Sequence, residues 1–499
     1  MTETKTARKR AMKMNMGIVG RIVSMVLLIE AVFMLVPILI ALIDRDSDAA
    51  MGFVWTLAGT VIVSLPVYLL TRRASQEFYA QEGFVATGLS WIMLSLVGCL
   101  PFVISGEIPN LLDAFFETVS GFTTTGASIL TNGEALSRPM LYWRSFSHWL
   151  GGMGVLVFLM ALIPVASKTR NNSDIYLLRA ESPGPEVGKL TPHMRSTALI
   201  LYVLYIGLTV LCFIFLLFGG MPVFDSICTA FGTAGTGGFG IRNDSLASYS
   251  PFAQNVTTIF MFLFGVNFNM YYLVLLRRFG SILRNEELRA YIIYCVAAIA
   301  TVAISTADNY ASFGENLRHS AFQVVSIMTT TGFATVDTNL WPEIAKTALI
   351  VVMCVGACAG STGGGMKVSR TVILAKSLRR NVRHALHPNR TVSLRMDGHP
   401  VSEQTIAAVG AYLVAYVIIV IVSFVIISLD NRSMETNMSA VLACFNNIGP
   451  GFGDVGATGN YAAFGALSKL TLCADMLLGR LEIFPLLVML SRSTWNRNL

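Results

Sequence analysis

Apolar and polar positions along this chain fall into long blocks, with neither the period of a strand nor that of an amphipathic helix. The first block runs from Ile22 to Ile43, about the length that crosses a bilayer as a helix. A second spans Met51–Leu70 and ends at Arg72 and Arg73. The remainder divides into four similar modules, each with a long apolar block, a half-length one and another long one. The outer blocks are Phe84–Ile104, Ala198–Phe218, Ala290–Ser305 and Thr405–Leu429. The half-length blocks are Asn110–Gly121, Val223–Phe231, Leu317–Met328 and Glu435–Phe445. The closing blocks are Trp143–Pro164, Phe252–Leu276, Ala345–Ala375 and Phe464–Leu490. The pattern predicts an all-α integral membrane protein with ten full spans and four re-entrant half-helices. Residues 1–75 form a basic arm and two helices; the modules occupy 76–170, 190–280, 287–385 and 400–499.

Each half-length block ends in a related phrase: Phe122-Thr-Thr-Thr-Gly126, Phe231-Gly-Thr-Ala-Gly235, Met328-Thr-Thr-Thr-Gly332 and Phe445-Asn-Asn-Ile-Gly449. A bulky apolar residue stands four positions before a glycine in all four, and those glycines are separated by 109, 97 and 117 residues. Repetition at a nearly fixed period marks a repeated structural unit. A polar, glycine-containing loop at membrane depth would leave its backbone groups unsatisfied against lipid, so it has to line a water-filled path. There its carbonyl oxygens can replace an ion's hydration shell. One Thr-Thr-Gly is an ordinary turn, whereas four in matching context make a cation filter around one axis.

Composition agrees with a membrane setting. Of 499 residues, 54% are hydrophobic and 13% charged, against about a quarter charged in soluble domains. Lys and Arg number 36. With the N-terminus inside, 27 fall on segments 1–21, 71–83, 167–196, 277–289, 367–402 and the tail from Ser491. This positive-inside bias puts both termini in the cytoplasm and brings the filter loops in from outside. It also accounts for the net charge of +7 without a nucleic-acid partner. The C-terminal ends of the half-helices then point at the filter, where their partial negative charge favours a cation. No ring of Asp or Glu lies in the loops, so the expected ion is a large monovalent one, potassium, with no organic cofactor.

The four phrases, together with His148-Trp-Leu-Gly-Gly-Met-Gly154, Gly360-Ser-Thr-Gly-Gly-Gly-Met-Lys367 and Leu478-Gly-Arg-Leu-Glu-Ile-Phe-Pro485, resemble the Trk/Ktr/HKT superfamily of potassium transporters. The two extra N-terminal helices are similar to its bacterial TrkH/TrkG branch. The resemblance covers nearly the whole chain. It implies potassium uptake across the bacterial inner membrane by a homodimer of four-repeat pores, regulated by a cytosolic nucleotide-binding subunit of the TrkA kind. Carried over by residue, the filter is Thr124, Thr125, Gly126; Thr233, Ala234, Gly235; Thr330, Thr331, Gly332; and Asn447, Ile448, Gly449. Gly237 and Gly451 offer a register shifted by two in the second and fourth loops; the spacing from Phe231 and Phe445 favours Gly235 and Gly449. Asn446-Asn447-Ile448 in place of a threonine run departs from four-fold symmetry and weakens the case for tight selectivity.

Two further features bear on mechanism. Five glycines fall between Gly356 and Gly365, Gly360, Gly363 and Gly364 among them, although each costs about 1 kcal/mol relative to Ala in a helix. The run is either a packing kink through small residues or, as the resemblance implies, a movable barrier below the filter. Arg480 lies in an apolar span, five residues from Asp475 and two from Glu482, neither the spacing that meets on one helix face. It is either a structural partner of some acid or carbonyl, or a charge facing the cation path that limits leak. The alternative to a pore is a secondary transporter that couples potassium to protons or sodium. Rocking transporters are built from inverted repeats, whereas modules of two full spans each share one orientation. No nucleophile–base pair, metal cluster or phosphate loop suggests an enzyme.

Overall fold

The computed structural model describes residues 14–72, 80–154, 194–389 and 393–495. Most of the basic arm, and residues 155–193 with the expected end of the first closing span at Pro164, lie outside the described residues. Among the described residues, six helices are long and apolar enough to span a bilayer: Met16–Asp44, Ser47–Thr71, Ala80–Ser105, Ala198–Phe218, Glu286–Ser305 and Glu403–Asp430. The first two form a hairpin turned by Asp46, whose carboxylate accepts from the Ala49 amide at 3.0 Å. They pack on the outer helix of the first repeat, and Phe53 meets Trp143 of that repeat's closing helix edge to face.

Four shorter helices lead into the filter loops: Leu111–Phe122, Val223–Gly235, Phe313–Met328 and Met434–Phe445. Their outer ends are set by local polar chemistry. Asn110, Ser312 and Ser433 accept from the first free amides, and Asp113, Asp225, Glu315 and Glu435 stand in the first turns, where a carboxylate complements the helix dipole. The inner ends enter loops rather than further helix, because the next residues turn left-handed.

The closing helices correct the expectation of single continuous spans. The first described part ends at Gly152, and the second bends by 90° between Phe264 and Phe268. The third is split between Val355 and Val368, the fourth between Arg480 and Phe484. Asn267 caps the half-helix after its bend by accepting from the Asn269 amide at 2.9 Å. Glu482 and Ile483 hold φ of 53° and 71°, which no helix accommodates.

Hydrogen bonds outside the loops stitch each repeat to the next. Asn243 bonds Asn132 at 2.8 Å, the Leu246 amide donates to the Ala334 carbonyl at 2.9 Å, and the Gly453 amide to Asn339 at 2.9 Å. The Tyr461 amide donates to the Ser128 carbonyl at 2.8 Å, returning the fourth repeat to the first. The order 1–2–3–4–1 closes a ring.

Candidate functional site

The four loops share one backbone. Thr124, Thr236, Thr330 and Asn447 take φ of 56°, 54°, 59° and 57°, and Gly126, Gly238, Gly332 and Gly449 take 80°, 78°, 83° and 91°. Between them stand Thr125, Gly237, Thr331 and Ile448, whose amides donate to Ser120, Gly232, Ser326 and Ala443 at 2.9, 2.8, 2.8 and 2.8 Å. A left-handed conformation at a β-branched threonine is strained, and it is kept only where the surroundings over-determine it.

This shared geometry corrects the second loop. Thr233, Ala234 and Gly235 are the last turn of the pore helix, and Thr233 bonds back to the Thr229 carbonyl at 2.7 Å as an interior helical residue does. The residues equivalent to the other three loops are Thr236, Gly237 and Gly238, three positions later. Phe231 misled the spacing because this pore helix continues one turn beyond it. Thr236-Gly-Gly238 carries the polar-x-Gly signature of Thr124-Thr-Gly126, Thr330-Thr-Gly332 and Asn447-Ile-Gly449, but Thr233-Ala-Gly235 carries it equally, and the backbone alone separates the two.

The glycines are where the loops meet. A Cβ on Gly126 would strike the Gly237 carbonyl oxygen, one on Gly238 that of Thr331, one on Gly332 that of Ile448, and one on Gly449 that of Thr125. Each repeat's glycine thus abuts the equivalent carbonyl of the next, and the fourth returns to the first. No larger residue fits any of the four contacts.

The inner ends of the closing helices and the segments at their breaks tuck beneath this ring in the same rotation. Gly152 packs on Gly235, Gly265 on Thr329 and Gly364 on Asn446, one repeat ahead each time. The fourth step is made by Arg480. Its Nη1 donates to the Thr124 hydroxyl at 3.2 Å and the Thr362 carbonyl at 2.9 Å, and its Nη2 to the Gly152 carbonyl at 2.7 Å and to the Gly151 carbonyl. The acids near it in sequence are engaged elsewhere: Glu482 with Arg370, and Asp475 with the Ser423 hydroxyl at 2.7 Å. Arg480 therefore joins the first filter loop, the end of the described first closing helix at Gly151 and Gly152, and the glycine-rich run.

Residues Gly356 to Lys367 form no helix and run directly under the third and fourth loops. Gly356, Gly360 and Gly365 have φ of 74°, 69° and 76°. The Gly364 amide donates to the Thr330 hydroxyl at 2.6 Å, Gly363 packs on the Thr329 carbonyl, and Lys367 donates to the Gly363 carbonyl. Both ends are held by one carboxylate: Glu287 Oε1 accepts from the Ala359 amide at 2.7 Å and the Ser369 amide at 3.0 Å. The structure thus brings Gly363 and Gly364 against the filter loops and Arg480 against both, while Gly360 lies off to the side at Asn267, where its carbonyl accepts from the Phe268 amide at 3.0 Å.

Three residues at the site, Glu117, Arg144 and Tyr461, are absent from the sequence reading. Glu117 and Arg144 stand behind the first loop beside His148, the first residue of a motif already singled out, and the Tyr461 hydroxyl donates to the Gly449 carbonyl at 2.7 Å. A charged pair in apolar surroundings was a usable signal for Glu117 and Arg144; nothing local marks Tyr461.

Comparison with known proteins agrees with this architecture. The family model TrkH, described as "Cation transport protein", matches residues 50–496. The Trk system potassium uptake protein TrkH of Salmonella typhimurium is 35% identical over 489 residues, covering 97% of this chain and all of that protein. The Trk system potassium uptake protein TrkG of Escherichia coli K12 is 29% identical, covering 93% and 95%. The crystal structure of the potassium transporter TrkH from Vibrio parahaemolyticus superposes with a TM-score of 0.85 at 30% identity, over 97% of this chain and all of that one. A ring of four filter loops on a helical membrane frame, matched nearly end to end in sequence and structure, places this multi-pass membrane protein in the TrkH family of cation transport proteins, which are transporters and not enzymes.

Proposed function

We propose that this chain takes up potassium across the bacterial inner membrane through a single pore on the axis of the four filter loops. The observation that carries the proposal is the closed cycle of glycine-to-carbonyl contacts, Gly126–Gly237, Gly238–Thr331, Gly332–Ile448 and Gly449–Thr125. It sets four backbone carbonyl rows around one centre, where they can stand in for the water around a dehydrated monovalent cation. The pore helices aim the negative ends of their dipoles at the same place. Both termini are cytoplasmic in this reading, and the loops enter from outside.

The gate, in this proposal, is the Gly356–Lys367 run with Arg480. Both engage hydroxyls at the inner rim of the filter: Arg480 that of Thr124, the Gly364 amide that of Thr330. A cation leaving the filter meets positive charge and a backbone strand on that side. We extend the proposal to a homodimer under the control of a cytosolic nucleotide-binding subunit, on the strength of the family resemblance. The helix Val368–Leu386 supports it by exposing Leu378 and Val382 beside Arg379 and Arg383.

Flux through the purified protein in liposomes tests the reading, with potassium, rubidium, sodium and lithium compared under an imposed potential. Potassium and rubidium are expected to carry the flux. Movement of potassium against its gradient, driven by a proton or sodium gradient at zero potential, would replace the pore by a coupled symporter.

A further inference from the structure

Behind the first filter loop lies a buried ion pair for which the other repeats have no equivalent residues. Nine positions before the filter glycines stand Glu117, Thr229, Gln323 and Ala440, so only the first pore helix carries a charge there. Glu117 is 1% exposed. Its oxygens accept from the Ser128 hydroxyl at 2.9 and 3.1 Å, the Ile129 amide at 2.9 Å, Arg144 Nε at 2.8 Å and Arg144 Nη2 at 2.7 Å. Arg144 also donates to Ser128 at 3.3 Å and lays its guanidinium 4.0 Å from the centre of the Phe239 ring. Ser128 and Ile129 follow Gly126 by two and three residues; Phe239 follows Gly238 directly. One pair therefore grips the exits of two adjacent filter loops.

The next turn of the same helix repeats the reach. His148 Nδ1 lies 2.8 Å from the Gly121 carbonyl, and its Nε2 accepts from the Phe239 amide at 3.3 Å. That pairing assigns the proton to Nδ1. The imidazole stacks 4.2 Å from the Phe239 ring. On the opposite side of the ring the same work falls to neutral groups. Gln323 donates to the Val336 carbonyl at 3.1 Å, and Ser439 accepts from the Phe452 amide at 2.9 Å.

We propose that the Glu117–Arg144 pair is a specificity-determining positioning element, which fixes the distance between the first and second filter loops and thereby the discrimination of potassium from smaller cations. The proposal rests on the potassium-pore reading above. Carbonyl cages discriminate through the number, field and spacing of their oxygens, and a loop free to contract around a smaller ion loses part of that difference. A buried carboxylate with every acceptor site filled resists such contraction, because moving the loop strips hydrogen bonds from a charge that has no water to replace them. Neither residue touches the ion; they act through Ser128, Ile129 and Phe239.

The test compares sodium and potassium permeation through the full-length protein in liposomes, with melting in detergent measured alongside. The parent is measured first, and a parent without preference for potassium would sink the pore reading itself, separately from the pair. Glu117→Gln keeps the shape and the Ile129 acceptor but cancels the charge. It is expected to raise the sodium-to-potassium ratio about tenfold, the size expected for losing hydrogen bonds to a charged group, with potassium flux within about threefold of the parent. Ser128→Ala removes the bridging hydroxyl and should move the ratio in the same direction by less. Thr229→Val, at the equivalent position of the second pore helix, should leave it unchanged. A folded Glu117→Gln with the parent ratio overturns the proposal, as does an equal loss of both fluxes. Should Glu117→Gln fail to fold, Ser128→Ala decides, and a parent-like ratio there overturns the proposal equally.

Discussion

Gly235 and Gly238 stand three residues apart and are glycines for different reasons. Gly235 is helical, and its missing Cβ lets the backbone of His148 on the first closing helix lie against it. Gly238 sits at φ 78°, where a side chain costs about 1–2 kcal/mol, and its Cα abuts the Thr331 carbonyl of the next repeat. Substitutions around them separate the two registers of the second loop. Gly238→Ala is expected to raise sodium permeation relative to potassium severalfold or to abolish discrimination. Thr233→Val removes a hydroxyl bonded within its own helix and should leave ion preference at the parent value, at a stability cost of about 1 kcal/mol. The reverse pattern, with Thr233→Val altering selectivity and Gly238→Ala neutral, would restore the earlier register. Three of the four loops were legible from the chain alone because their helices end at the residue that the spacing marks. The second was not, since a helix end is decided by what packs on its last turn, here His148.

At the level of elements, the broken closing helices carry what apolar composition conceals. A run such as Phe464–Leu490 is hydrophobic enough to read as one span, yet it parts at Glu482, whose carboxylate is drawn into a buried pair with Arg370 at the start of the helix after the glycine-rich run. That leaves Arg480 as the last helical residue before the break, with its fork on three different segments. Arg480→Ala is expected to increase potassium flux. It removes a charge whose repulsion of a cation at about 4 Å amounts to about 4 kcal/mol at an intermediate dielectric, and it frees the glycine-rich run from the first filter loop. Arg480→Lys keeps the charge but reaches fewer of the four acceptors, so its flux should fall between the two. An Ala variant that melts like the parent and conducts no faster would leave Arg480 as a structural tie alone.

For the whole molecule, the reading places the filter side outward and the basic segments inward. An impermeant maleimide should label Asn132→Cys, on an exposed outer loop, in intact cells, and His387→Cys only after permeabilisation. The native cysteines are buried apart from Cys354, which is partly so. Labelling of both sites from outside, or the reverse order, would invert the topology. The chain alone determined the membrane setting, the four-fold repetition, the half-helices and where the loops after three of them turn. Each follows from a local cause, whether a block of apolar residues long enough to leave water or a glycine where the backbone must turn left-handed. Tertiary structure alone decided the register of the second loop, the breaks in the closing helices, the carbonyl partners of Arg480 and the Glu117–Arg144 pair. Those depend on residues 27 to 356 positions apart in the chain, and only packing of separate elements brings a carbonyl, a hydroxyl or a charge from so far along the chain within hydrogen-bond reach.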